Sequence, residues 1–290
     1  MGTRTGNFSI GFRRGGGEWQ KNLASQAAWA KSAGFDAIDL MDANAADIKT
    51  LRDAGLKLGT VDLRGFWNLV HADAGQRKEN VANAVAYVKE GAALGAKLFF
   101  TVIRPFDASK SAGENFKVAV EAYAPVCHAA AAAGGFVVLE GWPANGENLA
   151  CNPESYRATI KEIGKGVAVN FDPSHLIRMG IDPLRFVAEF APHVKHVHGK
   201  DTMLYPDAAY ELGLYQNSIG SRKEHGFGSH VWRYTIPGHG VFNWVDGFSI
   251  LKSAGFSGVV SVELEDENFN GSDDGEKAGL IHSLNFLRSA

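Results

Sequence analysis

Short apolar runs rich in β-branched residues punctuate the chain at 8–12, 37–41, 58–63, 98–103, 136–142, 167–171, 194–198 and 259–264. Longer stretches between them repeat at 3.6 residues. Leu23, Ala27 and Ala30 share one face of 22–33; Val81, Val85, Val88 and Ala92 do so in 80–94, and 116–133 reads as a third helix. Glycine stands where these stretches stop, at Gly34, Gly55, Gly95, Gly134, Gly164 and Gly255. Strand, helix, glycine, strand is the grammar of right-handed βαβ units around a parallel sheet. Eight units predict an α/β chain closed into a single (β/α)8 barrel spanning 1–290. An open doubly wound sheet is the alternative, but no Gly-x-Gly-x-x-Gly follows the first strand, and Gly15, Gly16 and Gly17 read as a loop.

One interval breaks the rhythm. Strand starts are about 20 to 40 residues apart, but the last gap is about 65. A plain barrel uses about 250 residues, and the chain has 290. The stretch 202–240, polar, aromatic and without a helical period, is therefore read as an insertion after the seventh strand, over the C-terminal face. An internal echo links the two ends of the chain. Ser32–Ala33–Gly34–Phe35 leads to Ile38–Asp39–Leu40, and Ser253–Ala254–Gly255–Phe256 leads to Val262–Glu263–Leu264, so each phrase ends on an acid in an apolar strand.

Composition narrows the classes. With 45% hydrophobic and 21% charged residues, the chain can bury a large core without disulfides. No apolar run reaches 18 residues, so no membrane helix is expected. No secretory signal is visible, and two cysteines suit a reduced, cytoplasmic setting. A net charge of −3 without a Lys/Arg cluster makes nucleic acid a poor partner.

Chemistry in such a barrel sits at the C-terminal strand ends. There the fifth strand delivers Glu140, the sixth Asp172, the seventh His198 and the eighth Glu263. Three carboxylates and an imidazole from neighbouring strands suit one divalent cation: Mn²⁺ fits best, with Mg²⁺, Co²⁺ or Zn²⁺ as alternatives. Without a cation, their mutual repulsion and lost hydration would be costly. Each residue also has a plainer reading. Glu140 could pair with Arg104, Asp172 could cap a helix, and Glu263 could belong to an acidic turn with Glu265, Asp266 and Glu267. His196 shares the strand parity of His198 and reads more simply as a core histidine, and His128 and His282 as structural.

On these residues the chain resembles the xylose-isomerase-like TIM-barrel superfamily of sugar isomerases and epimerases. That group also holds psicose and tagatose 3-epimerases, inosose and dehydroshikimate dehydratases, and endonuclease IV. The matching phrases are the one from Ala33 to Leu40, Phe171–Asp172–Pro173–Ser174–His175, His196–Val197–His198–Gly199–Lys200–Asp201, Pro237–Gly238–His239–Gly240 and Val262–Glu263–Leu264–Glu265. The resemblance implies a metal on Glu140, Asp172, His198 and Glu263. It also implies Glu140 and Glu263 as acid and base, His175 on the sugar, and Glu147 as a looser match to a substrate contact. The reaction so implied is proton abstraction beside a carbonyl through a metal-stabilised enediolate. Lys200 and Arg233 are candidates for a phosphate, carboxylate or hydroxyl. Trp67, Trp142 and Trp232 are candidates for stacking, and His225, His230 and His239 for closing the pocket. The partner is then a sugar or keto-sugar, and the chain a homo-oligomer, dimer or tetramer. Two features depart from the epimerases: Gly199–Lys200–Asp201 stands where they carry an arginine, and they lack a stretch like 202–240. A lyase eliminating a β-substituent from a keto-sugar or 3-keto-glycoside is the alternative. DNA repair of the endonuclease IV kind lacks a basic face and a three-zinc ligand set here.

Overall fold

The eight apolar runs become eight parallel strands because each carries enough β-branched and aromatic bulk to be buried on both faces. The computed structural model describes residues 2–214 and 218–290. The barrel strands are β1 (Ser9–Arg13), β2 (Ala37–Leu40), β3 (Lys57–Asp62), β4 (Leu98–Thr101), β5 (Phe136–Glu140), β6 (Val167–Phe171), β7 (Val194–Gly199) and β10 (Val259–Val262). They close in the order β1-β10-β7-β6-β5-β4-β3-β2. The register places Glu140 beside Asn170, Asn170 beside His196, and Ser261 beside His198.

Helices pack outside this ring. The helix Leu23–Ala33 opens on the Asn22 side chain and closes on Gly34, whose φ of 98° is a left-handed turn that a Cβ would strain. All six glycines read as helix stops have positive φ. Two helices start earlier than their apolar faces suggest. Asp73 caps Ala74–Ala93, and a Ser111–Glu114 capping box opens Ala112–Ala132, so polar first turns are fixed by caps before packing begins. The core is one cluster spanning barrel interior and helix layer, with Phe12, Phe99, Phe171 and Trp244 almost wholly buried. No helix among the described residues is long and apolar enough to cross a membrane.

The stretch 202–240, in which the sequence shows no helical period, carries two strands and a short helix. The strand β8 (Asp201–Leu204) pairs antiparallel with β9 (Trp232–Thr235), and a helix Pro206–Leu212 follows β8. Residues 215–217 of this stretch lie outside the described residues. The strands escaped the sequence because each is four residues long and its partner is some 27 residues away, too far for any local turn signal. This hairpin is pinned to the barrel mouth: Thr202 Oγ1 donates to Ser174 O at 2.9 Å, and Arg233 Nη1 donates to the buried Asp266 at 2.8 Å.

Candidate metal centre

Two buried polar clusters occupy the barrel interior. The upper one lies at the C-terminal strand ends. Glu140 ends β5, Asp172 follows β6, His198 lies in β7, and Glu263 is the first residue past β10. Ligand atoms of Glu140, Asp172, His175 and Glu263 all lie within 4.8 Å of one another. His198 joins them from the side: its Nδ1 is 2.5 Å from Glu140, 3.3 Å from Glu263 and 3.9 Å from Asp172. The chain thus brings together all four residues expected as ligands and adds His175 as a fifth donor.

These atoms are close but poorly satisfied. Asp172 Oδ2, His175 Nε2 and both ring nitrogens of His198 are buried without a well-formed hydrogen bond among the described residues. Buried polar atoms are normally paired. Three carboxylates and two imidazoles converging in this way are the donor set of a hard to intermediate divalent cation. The plainer reading of Asp172 is realised as well, because its Oδ1 caps the helix Pro173–Arg178 by accepting from Ser174 N at 2.8 Å. One oxygen fixes the turn and the other is free to bind. Arg104 does not pair with Glu140; its guanidinium lies over Trp67 at 5.2 Å.

Cations already balance part of this charge. The Lys200 ammonium is almost wholly buried, 2.5 Å from Glu263, 3.0 Å from Glu265 and 3.4 Å from Asp172. Burial alone would lower its pKa, but Glu263, Glu265 and Asp172 hold it well above the usual lysine value. Burial would likewise raise both glutamates. Lys200 and His198 instead hold Glu263 well below the usual range, and His198 does so for Glu140. His198 is driven the other way: burial would lower it, yet Glu263 and Glu140 raise it well above an ordinary histidine. Arg13 completes the set, bidentate on Asp62 at 2.8 and 3.0 Å and 3.3 Å from Glu263.

The lower cluster was not singled out in the sequence. Glu140 Oε1 accepts from Asn170 Nδ2 at 2.8 Å. The Asn170 carbonyl therefore faces His196 Nδ1, also at 2.8 Å, so that nitrogen carries the proton. On its other side His196 Nε2 lies 3.2 Å from Asp39 Oδ1, which also accepts from Thr60 N. Burial would raise the Asp39 carboxyl, but His196 holds it below its ordinary range. Asp39 approaches β3 so closely that a Cβ on Gly59 would overlap its Oδ1. Hydrogen bonds thus join His196, Asn170 and Glu140, while at the far end His196 Nε2 and Asp39 Oδ2 are buried without a well-formed hydrogen bond among the described residues, and Asp39, His196 and His198 bring ligand atoms within 4.8 Å of one another. The acid inside an apolar strand at Asp39 and the polar Asn170 inside β6 were the signals that could have revealed it.

Other expected residues fall elsewhere. His175 Nδ1 is 2.7 Å from Tyr234 Oη, a contact from β9 with no sequence signal. Trp142 and Trp67 wall the cavity above the cluster. Glu147 is exposed on a neighbouring cavity that also takes in Trp142 and Trp232. Arg233 is occupied by Asp266 and Tyr205. His239 lies on an exposed turn, its ring 6.1 Å from Phe269. His225 stacks on Tyr205, and His230 faces Glu224 at 3.9 Å.

Comparison with known proteins follows the same lines. A sequence model described as "Xylose isomerase-like TIM barrel" matches residues 27–290. YfiH of Bacillus subtilis (strain 168), an uncharacterized protein, is 32% identical over 53% of this chain and 46% of its own length. Inosose dehydratase 1 of Bacillus cereus is 30% identical over 35% of this chain and 31% of its own. The matches thus span less than half the length of these curated relatives. The crystal structure of 3-keto-D-glucoside 4-epimerase, YcjR, from E. coli superposes over 97% of this chain and 99% of its own, with a TM-score of 0.67 and 18% identity, a likeness of fold.

Proposed function

The chain belongs to the xylose isomerase-like TIM barrel family, and from that premise we propose that it is a divalent-metal-dependent sugar isomerase or epimerase. It would move a proton at the carbon beside a carbonyl. The observation that carries this reading is the convergence of Glu140, Asp172, His175 and Glu263, with His198 within 3.3 Å of both glutamates and buried donor atoms left unpaired. Mn²⁺ is the ion expected, with Mg²⁺, Co²⁺ or Zn²⁺ as alternatives. When bound, the cation would supply positive charge against the negative charge developing on the sugar oxygens.

The protein's own residues would do the rest. Glu140 and Glu263 stand on β5 and just past β10, three strands apart around the ring, so they reach a sugar from different sides. Their neighbours hold both in the carboxylate form at neutral pH, so each can accept a proton. The Asn170 amide fixes one oxygen of Glu140 and leaves the other to the substrate. Tyr234 holds the His175 ring through Nδ1 and so aims its Nε2 at Glu140 and Asp172, where it would hold the cation or, if the cation leaves it free, a sugar hydroxyl. The indoles of Trp67 and Trp142 wall the cavity and limit water. In this reading the hairpin β8–β9, which supplies Tyr234, sets substrate choice.

One observation favours a second reading. Lys200 is hydrogen-bonded to Glu263, so a fixed positive charge stands beside the base, where it would stabilise the charge of a departing hydroxyl. Proton abstraction would then end in elimination, as in a dehydratase, the activity named for one relative.

The experiment is solvent exchange. Ketoses and keto-glycosides incubated in D₂O with the Mn²⁺-loaded protein should gain deuterium beside the carbonyl, and lose the gain with chelator. Conserved product mass indicates epimerisation; loss of water indicates the dehydratase. Glu140→Gln should slow exchange by about 10²- to 10⁴-fold. Undiminished exchange in that variant would overturn the mechanism.

A further inference from the structure

The cavity directly above the cluster, with Glu140, His175, Lys200 and Glu263 at its base, holds about 200 Å³. Small-molecule sites usually start at about 300 Å³, so this space suits one sugar ring. A second cavity of about 410 Å³ opens beside it, and Trp67 and Trp142 line both. No step proposed above uses that second space.

Its walls have a consistent chemistry. Trp67, half-exposed, and Trp142 stand perpendicular, at 89° and 6.4 Å between ring centroids. Trp232 forms the third wall. The Arg178 guanidinium lies over Trp232 at 4.4 Å, and Arg104 lies over Trp67. Arg178 donates to Tyr234 Oη and Ala144 O, and neither arginine pairs with a carboxylate among the described residues. Asn148 also lines the space; its Nδ2 donates to Trp142 O, while its buried Oδ1 has no hydrogen-bond partner. Indole faces are electron-rich and attract the weakly positive C–H face of a sugar ring. The two guanidinium groups and the amide oxygen are a donor–acceptor set for ring hydroxyls. A monosaccharide at the cluster would reach none of Arg104, Arg178, Asn148 and Trp232, which line the second cavity and not the first.

We propose that this chamber is a subsite for a second sugar ring, joined through a glycosidic bond to the ring that reacts. The proposal rests on the sugar reading above and names its substrate class: a two-ring keto-glycoside rather than a free monosaccharide.

The test needs no turnover. Methyl β-glucoside and a panel of cellobiose, maltose, trehalose and sucrose are titrated into the Mn²⁺-loaded protein. Tryptophan fluorescence gives affinities, and saturation-transfer NMR reports which ring is in contact. At least one disaccharide should bind tenfold or more tightly than methyl β-glucoside, with saturation on both rings. In Trp232→Ala and Arg104→Ala the ratio of the two affinities should fall toward one. Asn145→Trp, at an exposed position on the chamber wall, should do the same by filling it. Unchanged melting temperatures separate this from misfolding. Equal affinities for one and two rings, or a preference that survives Asn145→Trp, would overturn the subsite. Tight disaccharide binding together with no exchange on ketoses or keto-glycosides would keep the subsite and sink the reaction; exchange on free ketoses with no gain from a second ring would do the reverse.

Discussion

Asp39 and Glu263 are reached from the same sequence phrase and end in opposite circumstances. Each follows Ser-Ala-Gly-Phe, with the glycine closing a helix at positive φ, and β1 pairs with both strands concerned. Asp39 comes five residues after its glycine, within β2; Glu263 comes eight after, just beyond β10. The consequence is a difference in company. Asp39 is wholly buried, its Oδ1 accepting from the Thr60 amide and facing His196 at 3.2 Å, its Oδ2 without a hydrogen-bond partner among the described residues. Glu263 keeps a side-chain exposure of 16% and faces Lys200, His198 and Arg13 across an open cavity. The difference is one of depth: Asp39 sits deep within the barrel, whereas Glu263 stands at its mouth. Contacts through His196 and Asn170 join the two regions at Glu140.

The largest effects should separate these roles. Glu263→Gln should lower proton exchange by about 10²- to 10⁴-fold and also lower the melting temperature, because it leaves the buried Lys200 ammonium without its nearest carboxylate. Asp39→Asn should destabilise by about 1–3 kcal/mol, since it disturbs a buried carboxylate that accepts from the Thr60 amide and faces His196. Chemical denaturation and D₂O exchange on both variants check this. An Asp39→Asn protein of native stability with lost exchange would erase the distinction.

A third buried acid sharpens the comparison by having only neutral donors. Burial pushes Asp201 up to about 6, against hydrogen bonds from the Thr202 and Phe242 amides and the Trp244 indole. Its folded pKa lies above the unfolded value near 3.8, so its stabilising contribution is complete below that and is lost as pH rises toward 6. Asn does not titrate. The stability of Asp201→Asn relative to the parent should therefore improve by up to about 3 kcal/mol between pH 4 and pH 7. Urea midpoints at each pH measure it; a difference that ignores pH contradicts the assignment.

The smallest effect probes the shared phrase itself. Gly34→Ala and Gly255→Ala both place an L residue at positive φ, costing roughly 1 kcal/mol. Gly34 would also press on the Arg288 guanidinium at 2.6 Å, whereas nothing lies within 4 Å at Gly255. Gly34→Ala should therefore melt lower than Gly255→Ala; the reverse order would show that the two stops are not built alike.

Much of this was legible along the chain. Glu140, Asp172, His198 and Glu263 stood out because acids and imidazoles at apolar strand ends are local features, and strand, helix and glycine stop repeat within short windows. What escaped was set by distant partners. His175 is placed on the sugar by resemblance alone; that Tyr234, 59 positions on, fixes its ring has no local signal. Arg233 reads as a free cation until Asp266 occupies it. Asn170 and His196 read as core until closure sets them side by side under Glu140.

By itself, the sequence determined the eight strands, their glycine stops and the depth at which each acid leaves its strand, because period and turn chemistry act over a few residues. The tertiary structure alone decided which acids are paired and which are left unsatisfied. Pairing depends on where barrel closure and the β8–β9 hairpin bring side chains from far along the chain, and no local pattern encodes that.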